Sequence, residues 1–311
     1  MTVAVYVVIF AGLLIFVAGC LLRIYQYART PLHLRWELYP VPHEEPSRVA
    51  HGGSYFESGQ WWLSPQAVHH RAEWMTMLRE IVFLKGLREY NPRLWLSSFL
   101  FHFGLYLAIV TIAMATAAAL PAVLIPGITT ARLWTVVALL CRWTGAAGIL
   151  LVLIGAVALL VRRITDPSLK NYTRPADIFN LLFFIAAFVL VAVGYLMRAP
   201  GAASLGEIAR GIVHFDLSVR ISATLGIGLV LASALTAYIP FTHMSHFIAK
   251  YFTWHAVRWD DRRNTRGSTI EARVSAYLNY KPTWAAPHLG ADGKKTWAEI
   301  ATSQPTQEAK K

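Results

Sequence analysis

Five uninterrupted apolar runs constrain this chain more than anything else in it: Val3–Leu22, Leu94–Leu120, Leu133–Val161, Ile178–Met197 and Ile221–Ala249. A helix needs roughly 20 apolar residues to cross about 30 Å of hydrocarbon, and each run is long enough. Four of them hold no Asp, Glu, Lys or Arg, and the third holds only Arg142. Only helices and closed barrels satisfy their backbone groups in lipid, and runs of this length are helical. The expected fold is all-α, an integral membrane bundle of five helices. Charged residues make up 15% of the chain and mean hydropathy is +0.44, which excludes an ordinary soluble enzyme and a disordered chain. Val17-Ala18-Gly19-Cys20 resembles a lipoprotein cleavage box. No Lys or Arg precedes it, however, and Leu21 and Leu22 carry the apolar run past the cysteine, so the first run is expected to stay as a span.

The net charge of +12 could signify nucleic acid, a membrane surface or an acidic partner, but its distribution decides. Regions 23–93, 162–177 and the tail from Lys250 together carry 24 of the 29 Lys and Arg residues. The opposite side carries Arg132, Arg142, Arg198, Arg210 and Arg220. The positive-inside rule then places the N-terminus outside and the C-terminus in the cytoplasm. That asymmetry absorbs most of the charge without nucleic acid as a partner.

The loop from Arg23 to Arg93 is far longer than a usual helix connection, which points to function. Its first part, Thr30 to Glu45, is punctuated by prolines and is expected to be extended. Its second part opens at Ser64-Pro65 and places Val68, Ala72, Met75, Leu78 and Val82 at helical spacing, predicting an amphipathic helix that ends near Gly86. Trp61, Trp62, Trp74 and Trp95 suit a helix lying on the bilayer surface; a docking platform for a cytoplasmic partner is the other account. The outer loop 198–220 holds His214 and Asp216 in a second amphipathic segment. The tail beyond Asp261 is polar, with one short apolar stretch over Ile270–Tyr280.

Cys20 and Cys141 supply no disulfide framework, no covalent haem motif and no iron–sulfur set. Redox chemistry in this chain must therefore rest on other ligands. Three of the eleven histidines, His102, His243 and His246, fall inside the apolar runs, where an ionisable side chain is a functional candidate. His102 is expected roughly 12 Å along the second helix from its cytoplasmic end, and His246 in the same leaflet on the fifth. Two imidazoles from facing helices can hold a haem iron from both sides, an arrangement suited to electron transfer. His243 and His246 are three residues apart and are expected to share one face of the fifth helix, with only one of them needed at iron. The other could meet a propionate or a quinone carbonyl.

Phe101-His102-Phe103-Gly104 and Ile239-Pro240-Phe241-Thr242-His243-Met244-Ser245-His246 are similar to motifs of the membrane cytochrome b (gamma) subunit of respiratory nitrate reductase. The five spans and their orientation match that family too. Within it, the Pro31–Glu45 and Thr242–Asp261 stretches resemble the branch that works beside heterodisulfide-reductase-like iron–sulfur subunits in menaquinone oxidoreductases. The resemblance implies that His102 and His246 are axial ligands of a haem b, with menaquinone as lipid substrate and an iron–sulfur subunit as cytoplasmic partner. The family's second haem uses a second histidine pair, but here those positions fall near Ile112 and Gly228, which cannot ligate iron. One haem is expected; a second would need His243, His214 or Met114. Arg142 occupies the region where the family places a basic residue at its quinol, so Arg142 and His214 are candidates for an outer quinone site, with Arg142 snorkelling to the interface as the alternative.

The organisation expected is a first transmembrane helix (1–25), a cytoplasmic loop with an amphipathic helix (26–93), a four-helix haem-binding membrane domain (94–250) and a cytoplasmic tail (251–311). The chain reads as one subunit of a menaquinone-linked oxidoreductase in a prokaryotic cytoplasmic membrane, inactive alone. The rival classes are a cofactor-free anchor, a transport subunit, and a di-histidine cytochrome with ligand pairs in both leaflets. The unequal spans show no repeated halves of the kind transporters use.

Overall fold

The computed structural model describes residues 2–30, 41–65, 68–120, 132–284 and 290–303, with the backbone alone at 132 and 133. Of the extended segment expected over Thr30–Glu45, residues 31–40 lie outside the described residues; the remainder turns instead, with the Glu44 N–H donating to the Val41 carbonyl at 3.0 Å and Val41, His43 and Glu44 buried. The principal helices are α1 (Thr2–Ala28), α2 (His70–Phe83), α3 (Lys85–Tyr90), α4 (Pro92–Ala119), α5 (Arg132–Thr165), α6 (Pro175–Leu196), α7 (Leu205–His214), α8 (Ala223–Tyr238), α9 (His246–Thr253), α10 (Thr269–Leu278) and α11 (Trp297–Thr302). No strand occurs among the described residues. Five helical stretches among the described residues are long and apolar enough to cross a membrane: α1, α4, most of α5, α6, and α8 continued to Phe241. Their outer faces carry large exposed apolar side chains, such as Leu14 at 71% and Ile112 at 66%, as lipid-facing surfaces require.

The chain divides into two compact units. The first comprises Met1–Cys20 and Trp74–Ser245. Small residues let its helices approach closely, since lipid offers no hydrophobic drive for helix association. A Cβ on Gly104 of α4 would sit 2.5 Å from the Val152 nitrogen of α5, and one on Gly228 of α8 would sit 2.7 Å from the Val191 nitrogen of α6. Gly12 of α1 meets Ser233 of α8 in the same way. One apolar core joins Phe101, Val152, Ala156, Leu181, Phe184, Ala187 and Leu235; a second joins Val5, Tyr6, Ile208, Ile221 and Leu225.

The fifth span departs from expectation. A single helix over Ile221–Ala249 is expected, but α8 stops at Tyr238. Pro240 cannot donate to the ladder, and the chain tightens into a 3₁₀ turn at Ile239–Phe241 before Thr242 becomes extended. A second 3₁₀ turn covers His243–Ser245, and α9 begins at His246. His243 and His246 therefore occupy different elements beyond the fifth span and do not share a helix face. The amphipathic helix also starts later than Ser64-Pro65, at His70, and ends at Phe83 because Leu84 adopts a left-handed conformation (φ 51°).

The second unit comprises Leu21–Glu73 and His246–Lys311. Its core is aromatic and polar: Trp254 stacks on Trp259 at 5.2 Å, and Tyr55, Phe56 and Trp61 pack together. The Arg263 guanidinium donates to the Trp62 and Ser64 carbonyls, pinning two distant stretches of chain.

Candidate functional site

His102 lies in the third turn beyond Asn91-Pro92-Arg93, half-buried on α4. Its Nδ1 is 2.7 Å from the Ser98 carbonyl oxygen, one turn back on the same helix. A carbonyl only accepts, so Nδ1 carries the proton and the lone pair is on Nε2. Metal-ligating histidines are held in this way, with one N–H on a backbone carbonyl fixing tautomer and ring orientation. The neighbouring Phe101 ring contacts Phe184 of α6 edge-on at 4.9 Å. Gly155 lets the backbone of α5 pass against Phe101. The motif's aromatic and glycine residues thus fix the helix around His102 by packing.

At the start of α6, Asp177 gathers an arginine and a histidine. Its carboxylate is 3.5 Å from Arg163 of α5 and 3.6 Å from His243 Nε2, and it accepts the Arg174 backbone N–H at 3.0 Å. His243 is 59% exposed. One turn further along α6, Asn180 is 4% exposed, and neither atom of its amide has a hydrogen-bond partner. An unpartnered buried amide inside an apolar span is costly, and being uncharged it does not stand out in the sequence.

The outer-site candidates have separate surroundings. His214 ends α7, and its Nε2 donates to the Ala119 carbonyl at 3.2 Å, satisfying one of the open carbonyls at the end of α4. Asp216 accepts the Ser218 backbone N–H, and hydrogen bonds from Ser218 hold its carboxyl below the usual range. The buried Tyr6 hydroxyl donates to the Asp216 carbonyl at 3.1 Å. Arg142 is exposed on α5, and no hydrogen bond or ion pair among the described residues joins it to His214.

A further constellation, assigned no role from sequence, lies in the second unit. His43 is buried with its Nε2 2.8 Å from Asp261 Oδ2. His255, in a π-helical turn over Trp254–Arg258, places Nδ1 3.0 Å from Glu73 Oε1, while His70 approaches Glu73 Oε2 at 3.3 Å. All five residues line one open cleft. Burial pushes the His255 imidazole below its ordinary value, Glu73 pulls it back, and the charge of His43 lowers it again. Burial raises Asp261, but hydrogen bonds from His43 and Tyr55 outweigh it and hold the carboxyl low. His43 and Asp261 are legible in the sequence as chemistry-bearing residues of the Pro31–Glu45 and Thr242–Asp261 stretches, but their 218-residue separation hides the pairing. Among the described residues no group of three or more His, Cys, Asp or Glu has the arrangement of a metal site.

The architecture defines a multi-pass, all-helical membrane protein with a backbone-oriented histidine within its second span. Residues 89–259 match the family model of the nitrate reductase gamma subunit, and the chain belongs to that family. It is a haem b-binding membrane subunit of a respiratory oxidoreductase complex. No curated protein matches the chain.

Proposed function

We propose that this subunit passes electrons between menaquinone and a cytoplasmic iron–sulfur subunit of the heterodisulfide-reductase-like kind, in a prokaryotic cytoplasmic membrane. His102 and His246 would hold one haem b. The observation that carries this reading is the His102 Nδ1–H bond to the Ser98 carbonyl, which sets the ring as an Nε2 donor. Haem b supplies one-electron transfer when bound. His102 orients and holds; the packed Phe101 and Gly104 keep its helix in place.

A single haem is favoured by what stands at the family's second ligand positions. Ile112 points outward at 66% exposure, and Gly228 is pressed against the α6 backbone. For the quinone, the inner placement is preferred over the outer pair Arg142 and His214. His214 already caps α4 through Ala119, whereas His243 with Asp177 presents an imidazole–carboxylate pair able to hydrogen-bond a quinone oxygen and exchange a proton.

The test is a reduced pyridine haemochrome assay on the purified complex, with His102→Ala and His246→Ala beside the wild type. One haem b per chain, lost in either variant, is expected. A complex that assembles without haem would leave an anchor or transport role. Two haems, one surviving both substitutions, would return the quinone to the outer side near Arg142.

A further inference from the structure

The C-terminal end of α2 is tied to α4 at two points that straddle His102. Tyr106 Oη donates to the Ile81 carbonyl at 2.8 Å, and Trp95 Nε1 donates to the Phe83 carbonyl at 2.7 Å. Both acceptors are among the last carbonyls of α2, which have no partner within their own helix. Trp95, Phe99, His102 and Tyr106 recur at helical spacing and form one stripe of α4. Trp95 stacks on Phe99 at 5.1 Å along that stripe. His102 lies seven residues after Trp95 and four before Tyr106, roughly 10 Å and 6 Å along the axis. The two bonded carbonyls are only two residues apart, so Trp95 and Tyr106 converge on the end of α2 from either side of His102 along α4. The turn is itself braced: Leu84 reverses the backbone, and Glu80 Oε2 accepts the Gly86 N–H at 2.7 Å.

The geometry points to the Ile81–Leu84 turn as a wall flanking the His102 edge of the haem site, with Tyr106 and Trp95 as the positioning residues that hold it there. This rests on His102 being a haem ligand. The wall excludes water from that flank, and a drier site disfavours the more highly charged ferric state, so the turn holds the haem potential up. Neither Tyr106 nor Trp95 needs to touch the iron or the porphyrin for this.

The experiment uses the intact complex with Tyr106→Phe, Trp95→Phe and the double variant, each keeping a ring while removing one donor. Three readouts are taken: haem b per chain, midpoint potential by redox titration, and hydrogen exchange of the amides over 84–90. Haem content should be unchanged, exchange should rise roughly three- to tenfold per lost bond, and the potential should fall, furthest in the double variant. Faster exchange with an unmoved potential would overturn the wall while leaving the haem reading intact. Unmoved exchange would show that the two bonds do not hold the turn, and overturns it too. Loss of haem from Tyr106→Phe would overturn the flanking role by making the tyrosine part of the site itself. A wild type without haem, or haem retained in His102→Ala, would instead fail the underlying assignment.

Discussion

At Asn180 the apolar span carries an amide whose two polar atoms find no partner, and this has a measurable consequence. Replacing it by an apolar side chain of similar volume removes an unpaired donor and an unpaired acceptor. Asn180→Leu should therefore raise stability by about 1–3 kcal/mol, read as thermal unfolding of the detergent-solubilised complex. A destabilised variant would mean that the amide meets a bound polar group. His255 gives a second prediction. Its folded-state pKa is depressed, so the unfolded chain binds more protons as pH falls below the ordinary imidazole value of 6.5. Stability should drop through that window, and His255→Phe should flatten the dependence there; a profile identical to wild type would sink it. Asp261, also depressed, adds its loss only as pH falls below about 3.8. The sequence showed His102 as a candidate because an ionisable group in an apolar run stands out. Asn180 did not, since it carries no charge, and the His43–Asp261 pair did not, since only folding brings those positions together.

Among elements, the contact of α4 with α5 sets where His102 stands. Gly155 faces the backbone nitrogen of Phe101, and a Cβ there meets main chain that cannot turn aside as a flexible side chain would. Gly155→Leu should cost at least about 1–3 kcal/mol and lower haem content by displacing the Phe101-His102 turn. Gly206→Leu, on α7 with nothing within 4 Å of its added Cβ, should leave haem content unchanged. Equal haem in both variants would show that the helix contact does not position the histidine. The first four spans were legible from hydropathy because unbroken apolar length is itself the constraint. The fifth was misjudged at its end because hydropathy does not register the missing N–H of Pro240, which stops α8 before either histidine. The start of α2 likewise lies five residues beyond the expected Pro65, because the Ser64-Pro65 pair resembles a cap but is not followed directly by the helix.

For the whole molecule, sidedness decides whether the proposed electron path can exist. The 24 Lys and Arg residues of one side against at most five of the other make translocation of the richer side unfavourable, and short basic loops weigh most in that rule. The loop 162–177 is short and carries Arg162, Arg163, Lys170 and Arg174, with Arg162 and Asp166 paired at 2.9 Å. That pairing leaves the excess of positive charge in the loop intact. In a background lacking Cys20 and Cys141, a membrane-impermeant maleimide should label Thr2→Cys on spheroplasts and Ser303→Cys only after permeabilisation. The reversed pattern would place His43, His255 and their carboxylates on the outer side. An iron–sulfur partner docking from the cytoplasm would then have no basic surface to meet, and the proposed direction of the electron path through His102 would be lost together with the topology.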